Sequence, residues 1–97
     1  MQDVQLLQRF SEARSQEAFR ELVDRHGSWV YSVCVRRLGG DRALAEDAAQ
    51  AVFVALAQRA ATLAGRKEGP LVGWLHAAAR HVTANMRRER FRRERRE

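Results

Sequence analysis

The sequence predicts a small all-α domain, a four-helix bundle, and three observations carry that reading. Apolar residues recur at three- and four-residue steps in four separate segments, and no segment shows the strict alternation of a strand. Two of the breaks between segments hold helix-stopping residues, Gly39-Gly40 in one and Gly65, Gly69 and the single proline, Pro70, in the other. Ninety-seven residues suffice for one domain and not for two, and no linker or internal repeat divides them.

The first helix is expected over residues 3–13, where Val4, Leu7 and Phe10 fall at helical spacing. The second is expected over 15–38. Ser15 suits its N-cap, because a hydroxyl there accepts a bond from a free N–H of the first turn. Its apolar face runs through Phe19, Leu22, Val23, Val30 and Val33, with Gly27 as a tolerated weak point. Gly39-Gly40 ends it, since glycine reaches the left-handed conformation that helix C-termini favour.

Asp41 caps the third helix, expected over 41–61, with a core stripe through Ala45, Ala49, Val52 and Leu56. Gly65-Arg66-Lys67-Glu68-Gly69 reads as a loop. Pro70 then opens the fourth helix, over 70–95, at a position where its missing N–H costs nothing. The stripe of that helix reads Val72, Leu75, Ala79, Val82 and Met86. The core is expected to join Phe19, Leu22, Val23, Val52, Leu56, Leu75 and Val82.

Size and composition exclude several function classes. A chain this short buries only about 60–65 % of its unfolded surface, which leaves little room for a deep catalytic pocket. The single cysteine, Cys34, permits neither an internal disulfide nor a cysteine-based zinc site, and its apolar helix makes it a small core residue. His76 and His81 are five residues apart, which does not set two imidazoles side by side on a helix. No serine–histidine–acid set, carboxylate pair or phosphate-cradling glycine loop stands out. No enzymatic activity, catalytic residue, metal or cofactor is therefore expected. No apolar run reaches the roughly 20 residues of a membrane span and no secretory signal opens the chain, so a cytoplasmic location without membrane attachment is expected.

Charge is concentrated at one end. The formal net charge is +6, of which residues 87–97 supply +4 through seven arginines against three glutamates. An arginine-dense end on a near-neutral body suits a polyanion such as nucleic acid, and equally suits a solvated helix end or a tail.

Two helix faces exceed what packing needs. In the third helix, Ala51-Val52-Phe53-Val54-Ala55-Leu56-Ala57 covers nearly two turns without a polar residue. Phe53 and Val54 are expected partly outside the stripe, beside Glu46, Asp47 and Gln50, as an apolar spot among carboxylates and an amide that suits protein docking. The alternative is a central helix packed on every side. In the fourth helix, Trp74, His81, Asn85 and Arg88 share a face away from the stripe, with Arg80 and Arg87 between the two. An indole can stack on a base while guanidinium groups meet phosphates. The alternative is a tryptophan buried against the preceding loop.

The order of these features resembles region 2 of bacterial sigma factors, in particular the extracytoplasmic-function (ECF) group, over nearly the whole chain. Leu6-Leu7-Gln8-Arg9-Phe10 and Glu17-Ala18-Phe19-Arg20-Glu21-Leu22-Val23 resemble the opening helices of that group. The stretch from Gly40 to Phe53 is similar to a GD-x-x-x-AED-x-x-Q-E-x-F pattern, and Gly73 to His81 to a W-L-x-x-x-A-R-N pattern. The two blocks stand in the family's order and at its separation.

The resemblance implies a domain that binds core RNA polymerase and recognises and melts the promoter −10 element in transcription initiation. It implies that Asp47, Gln50 and Phe53, with Glu46 nearby, contact the clamp helices of the polymerase's largest subunit. Ala51 stands where the family carries glutamate, which removes a charge from that interface. It further implies that Trp74 sits at the upstream edge of the DNA bubble and that the loop over residues 63–69 holds a base flipped from the non-template strand. Extruding a base costs a few kcal/mol, which a pocket and stacking at about 1–3 kcal/mol per base could offset. The implied DNA-binding set is Arg66, Lys67, Trp74, Arg80, His81, Asn85, Arg87, Arg88 and Arg92, the arginines from Arg87 onward tracking phosphates. His81 stands where asparagine is common, so the family's promoter preference does not transfer. The group also leaves room for an anti-sigma factor as a partner. Its second domain, a helix-turn-helix reading the −35 element, is not expected within these 97 residues. The competing reading is a basic helical regulator that binds nucleic acid or protein without engaging polymerase.

Overall fold

A computed structural model describes residues 1–65 and 70–96. It contains four helices: α1 (Asp3–Ala13), α2 (Gln16–Arg37), α3 (Arg42–Ala64) and α4 (Leu71–Arg96). The all-α bundle is as expected, and there is no strand among the described residues. The helix starts lie where capping chemistry puts them. Ser15 Oγ accepts from the Ala18 N–H at 3.1 Å, and Asp41 Oδ1 from the Leu44 N–H at 3.0 Å. Gly39 and Gly40 take φ of 65° and 87° after α2, the left-handed region open to glycine, and the Gly40 N–H closes onto the Val35 carbonyl.

The third helix is the centre of the bundle. It packs against α1, α2 and α4, and its buried residues are Ala45, Ala48, Val52, Phe53, Leu56, Ala60 and Leu63. Around them Leu6, Leu7, Leu22, Val30, Cys34 and Leu75 complete one continuous core. Of the expected core, Leu22, Val52, Leu56 and Leu75 have no exposed surface, and Phe19, Val23 and Val82 are partly buried against it.

Two expectations need correction. Phe53 does not lie outside the core: it is only 9 % exposed, because a helix with neighbours on three sides buries more than one stripe. In α4 the buried line is Leu71, Leu75, Ala79 and Thr83, an unbroken i,i+4 series, and Val72 is 40 % exposed. Four residues turn the helix by about 400°, so this line drifts by roughly 40° per step instead of following one fixed stripe. Thr83 tolerates full burial because its hydroxyl is satisfied twice. It donates to the Ala79 carbonyl at 2.7 Å and accepts from Arg37 Nε at 2.7 Å.

A polar chain fastens α1 and α4 to α2. Trp29 Nε1–H donates to His26 Nδ1 at 3.0 Å, so the other ring nitrogen, Nε2, carries the proton of the neutral ring and faces Asp3 Oδ2 at 2.9 Å. Arg25 pairs with the same carboxylate at 3.2 Å. The Trp29 indole lies 4.5 Å, centroid to centroid, from the His76 ring of α4.

Candidate polymerase and nucleic-acid faces

The outer side of α3 carries Glu46, Asp47, Gln50 and Val54, all exposed. Their steps of three and four residues place them on one face, one above the other. None of the three polar groups has a side-chain hydrogen bond or ion pair among the described residues, so the face offers free acceptors and an amide. Val54, 57 % exposed, is its apolar member in place of Phe53. The numbering alone does not give that exchange, since Phe53 stands three beyond Gln50; it follows from the packing around α3.

Most of the α4 set lies on the helix's outer side. Arg80, His81, Asn85, Arg87, Arg88 and Arg92 are exposed. His81 Nε2 and Asn85 Nδ2 are 3.2 Å apart, and Arg88 donates to Asn85 Oδ1, so an imidazole, an amide and a guanidinium are strung along one face. Arg92 pairs with Glu89 at 3.1 Å, a solvent-exposed contact of little energetic weight. Arg66 and Lys67 lie outside the described residues, as does most of the loop expected to hold a flipped base.

Trp74 belongs to this set only at its edge. It is half-buried and packs against the core, in a groove walled by Val4 and Leu7 of α1 and by Leu63 and Pro70. The drift of the buried line explains the position, because Trp74 starts within about 60° of Leu71 while Asn85 and Arg88 lie on the far side from Thr83.

Three contacts that pattern reading did not foresee matter to the site. Arg37 ties α2 to α4 through Thr83 and the Arg80 carbonyl. Trp29 and His76 stack beneath the start of the α4 face. Arg90 reaches Asp41, joining the end of α4 to the start of α3. Each contact spans elements distant in sequence, and only the α2 C-terminal position of Arg36-Arg37 could have hinted at one of them. The Asp41 carboxyl is held below its ordinary range, first by the Leu44 N–H and then by Arg90. Burial raises the Cys34 thiol above its ordinary value, against a smaller lowering by Arg37.

No group of three or more histidine, cysteine or carboxylate side chains with metal-binding geometry occurs among the described residues. No described helix is long and apolar enough to cross a membrane.

The fold and its faces define an all-α module with carboxylates on its central helix and arginines along its last. The model of sigma-70 region 2 matches residues 22–97, and the chain belongs to that family. Sigma-70 region 2 is the part of sigma factors that binds RNA polymerase and takes part in promoter −10 recognition. No curated protein and no solved structure matches the chain.

Proposed function

We propose that this chain is the region 2 domain of an ECF-group sigma factor, working in the cytoplasm, where it docks on the clamp helices of the polymerase's largest subunit and helps melt the −10 element. The observation that carries the reading is the separation of two unlike faces on one rigid bundle. Glu46, Asp47 and Gln50 stand free on the outer side of α3, and the His81–Asn85–Arg88 string runs along α4. A carboxylate face can meet a basic helical partner while an arginine face meets phosphates. The partly buried Trp74 at the start of α4 supplies the ring that stacks on an unpaired base in this reading. Its packing against the core lowers the entropy lost when it does so.

The experiment is a titration of the chain with core polymerase and with a clamp-helix fragment. Asp47→Ala combined with Gln50→Ala removes exposed groups, so the fold should persist and circular dichroism should be unchanged. Affinity should fall on the order of 10-fold, the equivalent of about 1.4 kcal/mol. Unchanged affinity overturns the docking assignment. Binding to DNA without binding to polymerase in the unmutated chain favours a nucleic-acid regulator instead.

A further inference from the structure

The C-terminal end of α2 and the last turns of α4 enclose an open cleft whose composition is one-sided. Six arginines line it, Arg36 and Arg37 from α2 and Arg87, Arg88, Arg90 and Arg92 from α4, against a single acidic residue, Glu94. Four of the six are engaged within the protein: Arg37 with Thr83, Arg88 with Asn85, Arg90 with Asp41 and Arg92 with Glu89. Arg36 and Arg87 are exposed and carry no ion pair among the described residues. Cations at a helix C-terminus complement its dipole, which accounts for Arg36 and Arg37 being on α2. It does not account for α4 turning Arg87 and Arg88 toward them. Guanidinium groups that outnumber the carboxylates beside them repel one another, and an anion between them relieves that repulsion.

We propose that this cleft is a nucleic-acid phosphate tract in which Arg36 of α2 holds the same backbone as Arg87 and Arg88 of α4. The proposal rests on the nucleic-acid reading of α4 and widens it from one helix to two. Residues 87 and 88 stand three and four beyond residue 84, and residue 91 four and three beyond them, so Ala84, Arg87, Arg88 and Phe91 share the face that looks into the cleft. Arg88 belongs both to this face and to the His81–Asn85 string, which makes the two continuous. Small Ala84 leaves the cleft open, and Phe91, 59 % exposed, offers a flat apolar surface that a sugar can cover. Guanidinium forks suit phosphodiester oxygens, and two helices converging on one strand fix its direction where one helix face would not.

The test is the affinity of the full chain for a fluorescent duplex across a salt series, measured by anisotropy. Each phosphate contact contributes a slope of about 0.9 to the dependence of log affinity on log salt. Arg36→Gln should flatten the slope by about that amount on every sequence, Arg36→Lys should largely preserve it, and Arg88→Gln should flatten it likewise. Arg59→Gln, exposed on α3 and remote from the cleft, should leave it unchanged. If Arg88→Gln flattens the slope and Arg36→Gln does not, the two-helix tract is wrong while the α4 reading stands. If neither does, the nucleic-acid reading falls first and the tract with it. A loss by Arg36→Gln confined to poly-glutamate, with DNA binding intact, assigns the cleft to an acidic protein and overturns the proposal.

Discussion

Arg37 Nε donates to Thr83 Oγ1 at 2.7 Å, joining the end of α2 to the middle of α4 through a hydroxyl with no exposed surface. The bond fixes how the arginine-bearing helix sits on the bundle. Thr83→Val keeps the shape but deletes the acceptor, leaving a partly buried guanidinium N–H without its partner. The cost should be about 1–3 kcal/mol in urea denaturation, the range for a buried polar group that loses its bond. With Arg37→Gln already present, the same change should cost less, since the pair acts as a unit. Additive losses would show that Arg37 finds water and that the bond does not set the packing.

Asp41 provides a test in pH. Its carboxyl caps α3 and takes Arg90, and both contacts hold it below the ordinary range. A group whose folded-state value lies below its unfolded value of about 3.9 adds stability above that pH. The contribution disappears as pH falls through the folded-state value. Asp41→Asn keeps a capping oxygen but cannot ionise. Its Tm should lie below that of the unmutated chain at pH 7, and the gap should close on acidification below about pH 4. A gap constant with pH would remove the charge from the argument.

Trp74 is half-buried, so its packing has to be separated from the stacking proposed for it. Trp74→Leu retains apolar contact with the groove formed by Val4, Leu7 and Leu63 but removes the stacking plane. On core polymerase it should weaken promoter opening by about 1–3 kcal/mol, roughly 5- to 150-fold in the opening equilibrium, with closed-duplex binding little changed. A template with a pre-melted −10 segment should recover part of the loss. Normal opening by a folded Trp74→Leu would confine this residue to packing.

Helix positions were legible because their signals are local. Ser15, Asp41 and Gly39-Gly40 act on their own turns, and the ends of all four helices fall within three residues of expectation. Burial was less legible, because it depends on how many neighbours a helix has. Phe53 looked surplus on a one-stripe model and is buried because α3 is central. Thr83 had no place in the expected stripe and is buried because Arg37, 46 positions earlier, satisfies it. The α3 and α4 faces were visible as periodic polar residues, whereas the α2 wall of the basic cleft depends on tertiary contact.

Along α4 the last buried residue is Thr83, and every residue from Arg87 to Arg96 is exposed. A single unbroken helix therefore has two regimes of opening. Main-chain amides near Leu75 and Ala79 can exchange with deuterium only when the bundle itself opens, because their turns are locked beneath α3. Those beyond Arg87 lie on turns with no buried residue and exchange by local opening on a much shorter timescale. A polyanion laid against the arginines would slow exchange in that outer segment and leave the inner one untouched. The boundary between fast and slow amides thus marks where the fold stops protecting this helix and where the proposed polyanion would begin to.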